Sequence, residues 1–182
     1  MLDFTFTTQI NHLSDQTIQS CYHCHKCTAG CPVASEMQYG PDRVLRMVQL
    51  GQKEQLLSSH DIWLCASCET CGARCPNEID IARVMDALRQ MALRESVSVA
   101  EPDALKFHKL FLFVVQNMGR MHEATLLIAY KVWSMNLLAD MDSGAVMFVK
   151  GKVPLIPHPI KERQAVKQIF RVAAERKLDQ GV

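Results

Sequence analysis

The sequence lacks several features that would assign a chemistry to the chain. It contains no glycine-rich dinucleotide fingerprint and no P-loop, so a nucleotide-driven reaction is not expected. Its 20 basic and 19 acidic residues leave a net charge of +1, without the basic excess typical of nucleic-acid binding. Its most apolar run, residues 110–115, is far shorter than the roughly 20 residues that span a bilayer. We therefore expect no nucleic-acid partner and no transmembrane segment.

The amino terminus has no basic stretch ahead of an apolar segment, so we expect no signal peptide. Thiols without an export signal are typical of a reducing compartment. These two observations predict a cytoplasmic protein.

The eight cysteines form one pattern that occurs twice, with no cysteine left over. The first copy consists of Cys21, Cys24, Cys27 and Cys31, followed by Pro32. The second copy, 44 residues later, consists of Cys65, Cys68, Cys71 and Cys75, followed by Pro76. This spacing is that of the bacterial [4Fe-4S] ligand run, in which three closely spaced thiolates wrap three corners of one cubane. The sequence therefore predicts two [4Fe-4S] clusters.

The fourth ligand of each cluster is expected to come from the other run. In two-cluster ferredoxins, the cysteine before the proline ligates the other cluster. Applied here, this pattern predicts that the first cluster is held by Cys21, Cys24, Cys27 and Cys75. It predicts that the second cluster is held by Cys65, Cys68, Cys71 and Cys31. The clusters would then join the two repeats to each other.

Two other uses of the cysteines compete with this interpretation. A disulfide framework belongs to short secreted chains, and the sequence contains no sign of export. Structural zinc is the better alternative, because paired C-x2-C hooks are also a zinc signature. Each run, however, has a third cysteine at the same short spacing and a fourth before proline, and zinc takes only four ligands. A zinc-stapled interaction module is kept as the alternative from another functional class.

The fold class expected is all-α, with a helical ferredoxin domain over residues 1–96. The alternation of residues 3–7 predicts a short extended start, and Ser14 with Asp15 offers an N-cap for a turn before the first cysteine. Pro41 is placed to begin a helix whose apolar face is Val44, Leu45, Met47 and Val48. Asp80 is an N-cap for a further helix, with Ile81, Val84, Leu88 and Met91 on one face.

Residues 97–182 are predicted to form a C-terminal helical extension. Two apolar helices are expected at about 103–118 and 122–140, separated at Gly119, and another at about 160–177. The three prolines within residues 149–159 exclude regular helix and predict an extended arm that docks to a partner. The broad apolar arcs of the first two helices favour packing on each other, on the cluster domain, or on another subunit.

The first cysteine loop carries His23, His25 and Lys26, where the second loop carries Glu69 and Arg74. Histidine can ligate iron in Rieske centres, but here four thiolates already serve each cluster. These histidines are therefore expected outside the ligand sets. If they tune the clusters, the first cluster is the more electropositive, which we state as a hypothesis.

Beyond the cysteine runs, residues 46–51 (RMVQLG), 62–65 (IWLC) and 151–158 (GKVPLIPH) carry a more specific signal. With these segments the chain resembles the small iron-sulfur subunit of heterodisulfide reductase. The resemblance extends over most of the chain and is weakest over the last twenty residues.

The resemblance implies an electron-transfer subunit that is not itself catalytic. In that family, the small iron-sulfur subunit relays electrons between a flavin-containing subunit and a disulfide-reducing subunit, in a hetero-oligomer linked to anaerobic metabolism and flavin-based bifurcation. The alternatives are the iron-sulfur subunit of another complex, such as anaerobic glycerol 3-phosphate dehydrogenase or a fumarate-reductase-like enzyme. A free ferredoxin is disfavoured because it would leave the apolar helices and the proline arm without a purpose.

Overall fold

The computed structural model of the chain describes residues 4–134, 147, 150 and 160–179. The chain divides into two compact units, Met1–Glu101 and Pro102–Val182. All regular elements within the described residues are helical, in agreement with the predicted class. The predicted division into domains at 1–96 and 97–182 stays a prediction.

The first unit contains a 3-10 helix, Ile18–Ser20, and seven α-helices among its described residues. The α-helices are α1 (Phe4–Ser14), α2 (Lys26–Ala29), α3 (Gly40–Gln49), α4 (Lys53–Leu57), α5 (Asp61–Leu64), α6 (Thr70–Ala73) and α7 (Ile81–Arg94).

The core of the first unit lies where α1 packs on α3 and α7. The apolar face predicted for α3 is buried, and Val44 and Val48 are fully inaccessible. The face predicted for α7 is buried as well, and the Asp80 carboxylate accepts the predicted capping hydrogen bond from the backbone N–H of Arg83 at 3.1 Å. Both helices follow a cysteine run, so the core fixes the position of the two cysteine loops.

The extended start predicted for residues 3–7 is wrong over the described residues 4–7, which begin α1. Phe6 and Ile10, one helical turn apart, are fully buried. The buried Thr7 hydroxyl donates a hydrogen bond to the Val48 carbonyl at 2.6 Å. The burial of these side chains against α3 and α7 therefore outweighs the local, strand-like alternation of apolar and polar residues. Ser14 ends this helix and does not cap the turn before Cys21.

The second unit contains α8 (Pro102–Met118), α9 (Glu123–Ser134) and α10 (Arg163–Asp179). Helix α8 contacts both α9 and α10, and the rings of Phe107 and Tyr130 meet edge to face at 6.1 Å. The predicted break at Gly119 is confirmed, since this residue has a φ of +81°. A Cβ there would also collide with the Ile160 side chain.

The predicted arm at residues 149–159 lies outside the described residues except for residue 150, as does the end of the helix predicted at 122–140. In the described part of the chain, no helix combines the length and the apolar character needed to cross a membrane.

Candidate iron-sulfur site

The sequence repeat is also a repeat of backbone structure. The 3-10 helix Ile18–Ser20 ends directly before Cys21, and α5 ends directly before Cys65. The backbone leaves the helical conformation at both cysteines, where ψ is 119° and 118°. The loops that follow each lead into a one-turn helix, α2 or α6, which carries the third cysteine of the run.

Each loop contains two non-glycine residues in the left-handed region. They are His23 and His25 in the first loop, and Ser67 and Glu69 in the second. Their φ values are 59° and 61° in the first loop, and 51° and 58° in the second. Such conformations are uncommon for residues with a Cβ and cost free energy, so both loops hold the same strained turn around their cysteines.

The second run shares a cavity with a cysteine of the first run. Cys65, Cys68, Cys71 and Cys31 all line this cavity, together with apolar side chains that include Met37 and Met85. These four are the thiols predicted to hold the second cluster. A cubane with four thiolate ligands and an apolar surround fits this donor set.

The first run is joined in turn by a cysteine of the second. Burial raises the pKa of Cys21, and the neighbouring Cys75 and Cys24 raise it further by their charge. Cys75 therefore lies close enough to Cys21, a thiol of its predicted set, for their charges to interact. In the described part of the chain, no three Cys, His, Asp or Glu side chains are close enough to hold one metal ion. A cubane has a different requirement, because each of its irons takes one thiolate.

The eight thiols are free, and their exposure follows their place in the run. The second cysteine of each run, Cys24 or Cys68, is exposed, whereas the third, Cys27 or Cys71, is buried. Burial raises the pKa of Cys71 to about 11. A hydrogen bond with the Thr70 hydroxyl, 3.4 Å away, lowers the pKa of Cys68. Iron binds thiolates, so loading of the site must release protons from the buried thiols.

Gln49, at the end of α3, holds the first loop. Its amide nitrogen donates to the carbonyls of Ile18 at 2.9 Å and Cys21 at 3.2 Å. Its amide oxygen lies 2.8 Å from Nε2 of His23. One half-buried neutral side chain therefore fixes the turn before Cys21, the cysteine itself and one left-handed residue of the loop.

Arg89, on α7, holds the second loop at the equivalent positions. Its guanidinium donates to the Ile62 carbonyl at 2.5 Å, to the Cys65 carbonyl and to the Ser67 hydroxyl at 3.4 Å. These three residues each lie 44 positions after the three that Gln49 contacts. Arg89 is only 7% exposed. The two loops therefore have the same tether in two chemical forms, one neutral and one cationic.

Asp42 connects α3 to the first loop. Its carboxylate accepts hydrogen bonds from the Thr28 hydroxyl and from Nδ1 of His25, the latter at 2.7 Å. Burial by itself would raise the pKa of Asp42, but the two hydrogen bonds and the charge of His25 outweigh it and hold that pKa below its ordinary value. His25 is therefore paired with a carboxylate, consistent with a place outside the ligand sets.

Further polar contacts tie each repeat to the helix that follows the other one. The fully buried Asp61 carboxylate accepts from three backbone N–H groups at the start of α3, those of Gln38, Tyr39 and Gly40, at 2.8 to 2.9 Å. In the reverse direction, the Gln16 side chain accepts from the backbone N–H of Asp80, directly before α7, at 2.8 Å. Hydrogen bonds within the protein therefore hold the two repeats together.

Comparison with known proteins identifies this segment. Residues 20–80 match the family described as 4Fe-4S dicluster domain. An iron-sulfur subunit of the CoB--CoM heterodisulfide reductase of Methanocaldococcus jannaschii is 39% identical over 80 residues, which cover 44% of this chain and 42% of that protein. The corresponding iron-sulfur subunit of the same enzyme from Methanopyrus kandleri is 33% identical over 79 residues, covering 43% and 41%.

A third relative belongs to the H(2)/formate:CoB-CoM heterodisulfide,ferredoxin reductase of Methanococcus maripaludis, of which it is one subunit. It is 32% identical over 103 residues, which cover 57% of this chain and 52% of that protein. The matches thus span about half or less of the length of these relatives. Over its dicluster segment, the chain is similar to subunits of heterodisulfide reductases, as the resemblance in its sequence implied.

Proposed function

We propose that this chain relays single electrons through two [4Fe-4S] clusters, as a non-catalytic subunit of a heterodisulfide-reductase-type oxidoreductase in the cytoplasm. The observation that carries the proposal is the cavity lined by three cysteines of the second run and by Cys31 of the first. The charge interaction between Cys75 and Cys21 supports the matching set around the first run. When bound, the clusters supply one-electron chemistry, which no side chain of the protein supplies.

The protein's own residues orient and shield the clusters. The left-handed residues shape the turns between the cysteines, and Gln49 and Arg89 hold the loop backbones. Buried Cys27 and Cys71 lie on the protected side of each loop, whereas Cys24 and Cys68 are exposed. Electron exchange with a partner is therefore favoured at the exposed cysteine of each loop, where the distance to a docked redox centre is shortest.

The partners we propose are the flavin-containing subunit of such a complex and its disulfide-reducing subunit. The second unit of this chain supports a docking role, because large apolar side chains on α8 and α9 are exposed. They are Phe107, Phe111, Leu112, Phe113, Leu127, Ile128, Val132 and Trp133. We call these eight residues the α8–α9 apolar surface. An exposed apolar surface of this kind is typical of a protein interaction site.

The proposal is tested by anaerobic native purification of the chain from its own cells, with assays of flavin, iron and acid-labile sulfide. We expect recovery with a flavoprotein and a disulfide-reducing protein, and about eight irons and eight sulfides per chain. A colourless chain with about two zinc ions and no sulfide would instead establish the zinc-stapled module. Recovery of the chain alone with eight irons would leave a free carrier and overturn its assignment to a complex.

A further inference from the structure

Arg89 and Gln49 differ in charge although they make equivalent contacts with the two loops. Each side chain donates to the carbonyl of the first cysteine of a run and to the carbonyl three residues before it. The contacts therefore need only N–H donors, which a glutamine supplies at the first loop. A guanidinium at the second loop adds a full positive charge that the hydrogen bonds do not require.

Arg89 is buried, and among the described residues no carboxylate forms an ion pair with it. Within the described residues, its hydrogen bonds go to two carbonyls and one hydroxyl, and no ion pair includes it. A buried cation without an anionic partner is unfavourable. Two of its contacts, Cys65 and Ser67, line the cavity of the second run. A thiolate-ligated cluster in that cavity would be the missing anion.

The cationic side chains carried by the first loop are exposed or lie beside a carboxylate. His25 is paired with the Asp42 carboxylate at 2.7 Å, and Lys26 is exposed. Exposed charges are screened by water and salt, whereas a buried charge acts through a lower effective dielectric. The buried cation of Arg89 therefore acts on the adjacent cavity more strongly than the exposed Lys26 acts on the first loop, and the hypothesis drawn from the histidines and Lys26 stays a prediction.

We propose that Arg89 sets the order of the two cluster potentials, raising the reduction potential of the cluster held by Cys65, Cys68, Cys71 and Cys31 above that of the other. Reduction adds one electron from the donor to the cluster, with no bond made or broken and no proton taken up. The added negative charge is stabilised by a nearby buried cation. Arg89 is a positioning residue, and electrons would rest on the second-run cluster. This inference rests on the proposed function, because it requires both clusters.

The test is a redox titration of the cluster-loaded full chain, reduced with dithionite and followed by EPR, for the wild type, Arg89→Gln and Arg89→Lys. Glutamine supplies N–H donors as Gln49 does at the first loop, and it removes the positive charge of Arg89. Lysine keeps the positive charge but lacks the planar guanidinium group. In Arg89→Gln we expect one midpoint to fall by about 59 mV, a tenfold change for a one-electron couple, and the other to stay. Arg89→Lys should recover most of that shift. A purely structural Arg89 would leave both midpoints unmoved, shift them equally, or make lysine as damaging as glutamine.

A second variant assigns the midpoints without altering Arg89. In Cys68→Ser, the affected signal belongs to the second-run cluster, and we expect it to be the one with the higher midpoint in the wild type. If the lower midpoint changes instead, the proposed order is overturned. Iron and sulfide assays separate this failure from that of the proposed function. A chain that loads two clusters with unmoved potentials refutes only the role of Arg89, whereas a wild-type chain that loads none refutes both.

Discussion

Cys75 is the last cysteine of the second run in sequence, but its charge acts on Cys21 of the first run. We therefore expect Cys75→Ser to damage the first-run cluster and to remove up to about half of the iron. Two double variants identify which cluster is lost. Adding Cys24→Ser should change nothing further, because both residues serve the same cluster, whereas adding Cys68→Ser should remove the remaining iron.

The matched control is Cys31→Ser, which should damage the second-run cluster. Adding Cys68→Ser to it should change nothing further, whereas adding Cys24→Ser should remove the remaining iron. Iron content and EPR spectra of the purified variants measure each outcome. If Cys75→Ser and Cys68→Ser prove to affect one and the same cluster, each run holds its own cubane and the crossed ligation is wrong.

The buried thiols also predict how cluster loading depends on pH. The pKa of Cys71 is raised to about 11, so this thiol carries a proton at neutral pH when no iron is bound, and it loses the proton on binding. Loading therefore becomes more favourable as pH rises from 7 toward 9, by about tenfold per unit for each thiol still protonated. Competition against a chelator, corrected for the chelator's own titration, measures this slope. A pH-independent iron affinity would contradict it.

At the residue scale, the sequence predicts the eight cysteines as ligands, which stays a prediction, but it does not predict the side chains that hold their loops. The cysteines were recognisable because their spacing alone encodes the cubane run. Gln49 and Arg89 belong to no local pattern, because the carbonyls that they contact are distant in sequence. Gln49 lies 31 residues from Ile18, and Arg89 lies 27 residues from Ile62. One signal was present for Arg89: it follows Ile81 and Met85 at intervals of eight and four, on the buried stripe of α7.

At the level of elements, the site depends on the hydrogen bonds that fix the ends of the neighbouring helices. The start of α3 depends on Asp61, which lies shortly before the second cysteine run and accepts three N–H groups. An amide cannot replace it fully, because one oxygen becomes an NH2 group that faces donors. We expect Asp61→Asn to cost about 2 kcal/mol at this helix start, or roughly thirtyfold faster amide exchange.

Hydrogen exchange followed by mass spectrometry, on a peptide that covers residues 38–43, measures this effect. The control is Asp103→Asn in α8, whose side chain is 60% exposed and should have little influence on any peptide. Unchanged exchange at residues 38–43 in Asp61→Asn would mean that the carboxylate is not what holds α3 in place.

The helices were predicted well where a start signal and an apolar face agree, as with Pro41 in α3 and Asp80 in α7. Prediction failed at α1, where alternating Phe and Thr residues resemble a strand. What decides that segment is the buried surface of Phe6 and Ile10 against other helices, a tertiary effect that a local window does not contain. The same limit applies to the cap assigned to Ser14, whose hydroxyl donates back to the Ile10 carbonyl at 2.7 Å.

For the whole molecule, the two proposed roles, cluster binding and partner docking, belong to different compact units. The first unit carries all eight cysteines and the contacts that hold their loops, and the second carries the α8–α9 apolar surface. If the second unit serves for docking, changes there should alter association but not cluster content. This separation is the property that distinguishes a dedicated subunit from a free ferredoxin with a longer core.

Deletion of residues 149–182 removes the predicted arm and α10, and we expect it to release a partner while the iron content stays unchanged. Trp133→Ser and Ile128→Ser probe the α8–α9 apolar surface directly, at positions that are 47% and 64% exposed. Because buried apolar side chains dominate interface energies, each should weaken association at least about tenfold, against a neutral result for Glu123→Ser on the same helix. Co-purification yields and iron assays measure both quantities, and iron loss in the truncated chain would make residues 149–182 part of the cluster domain.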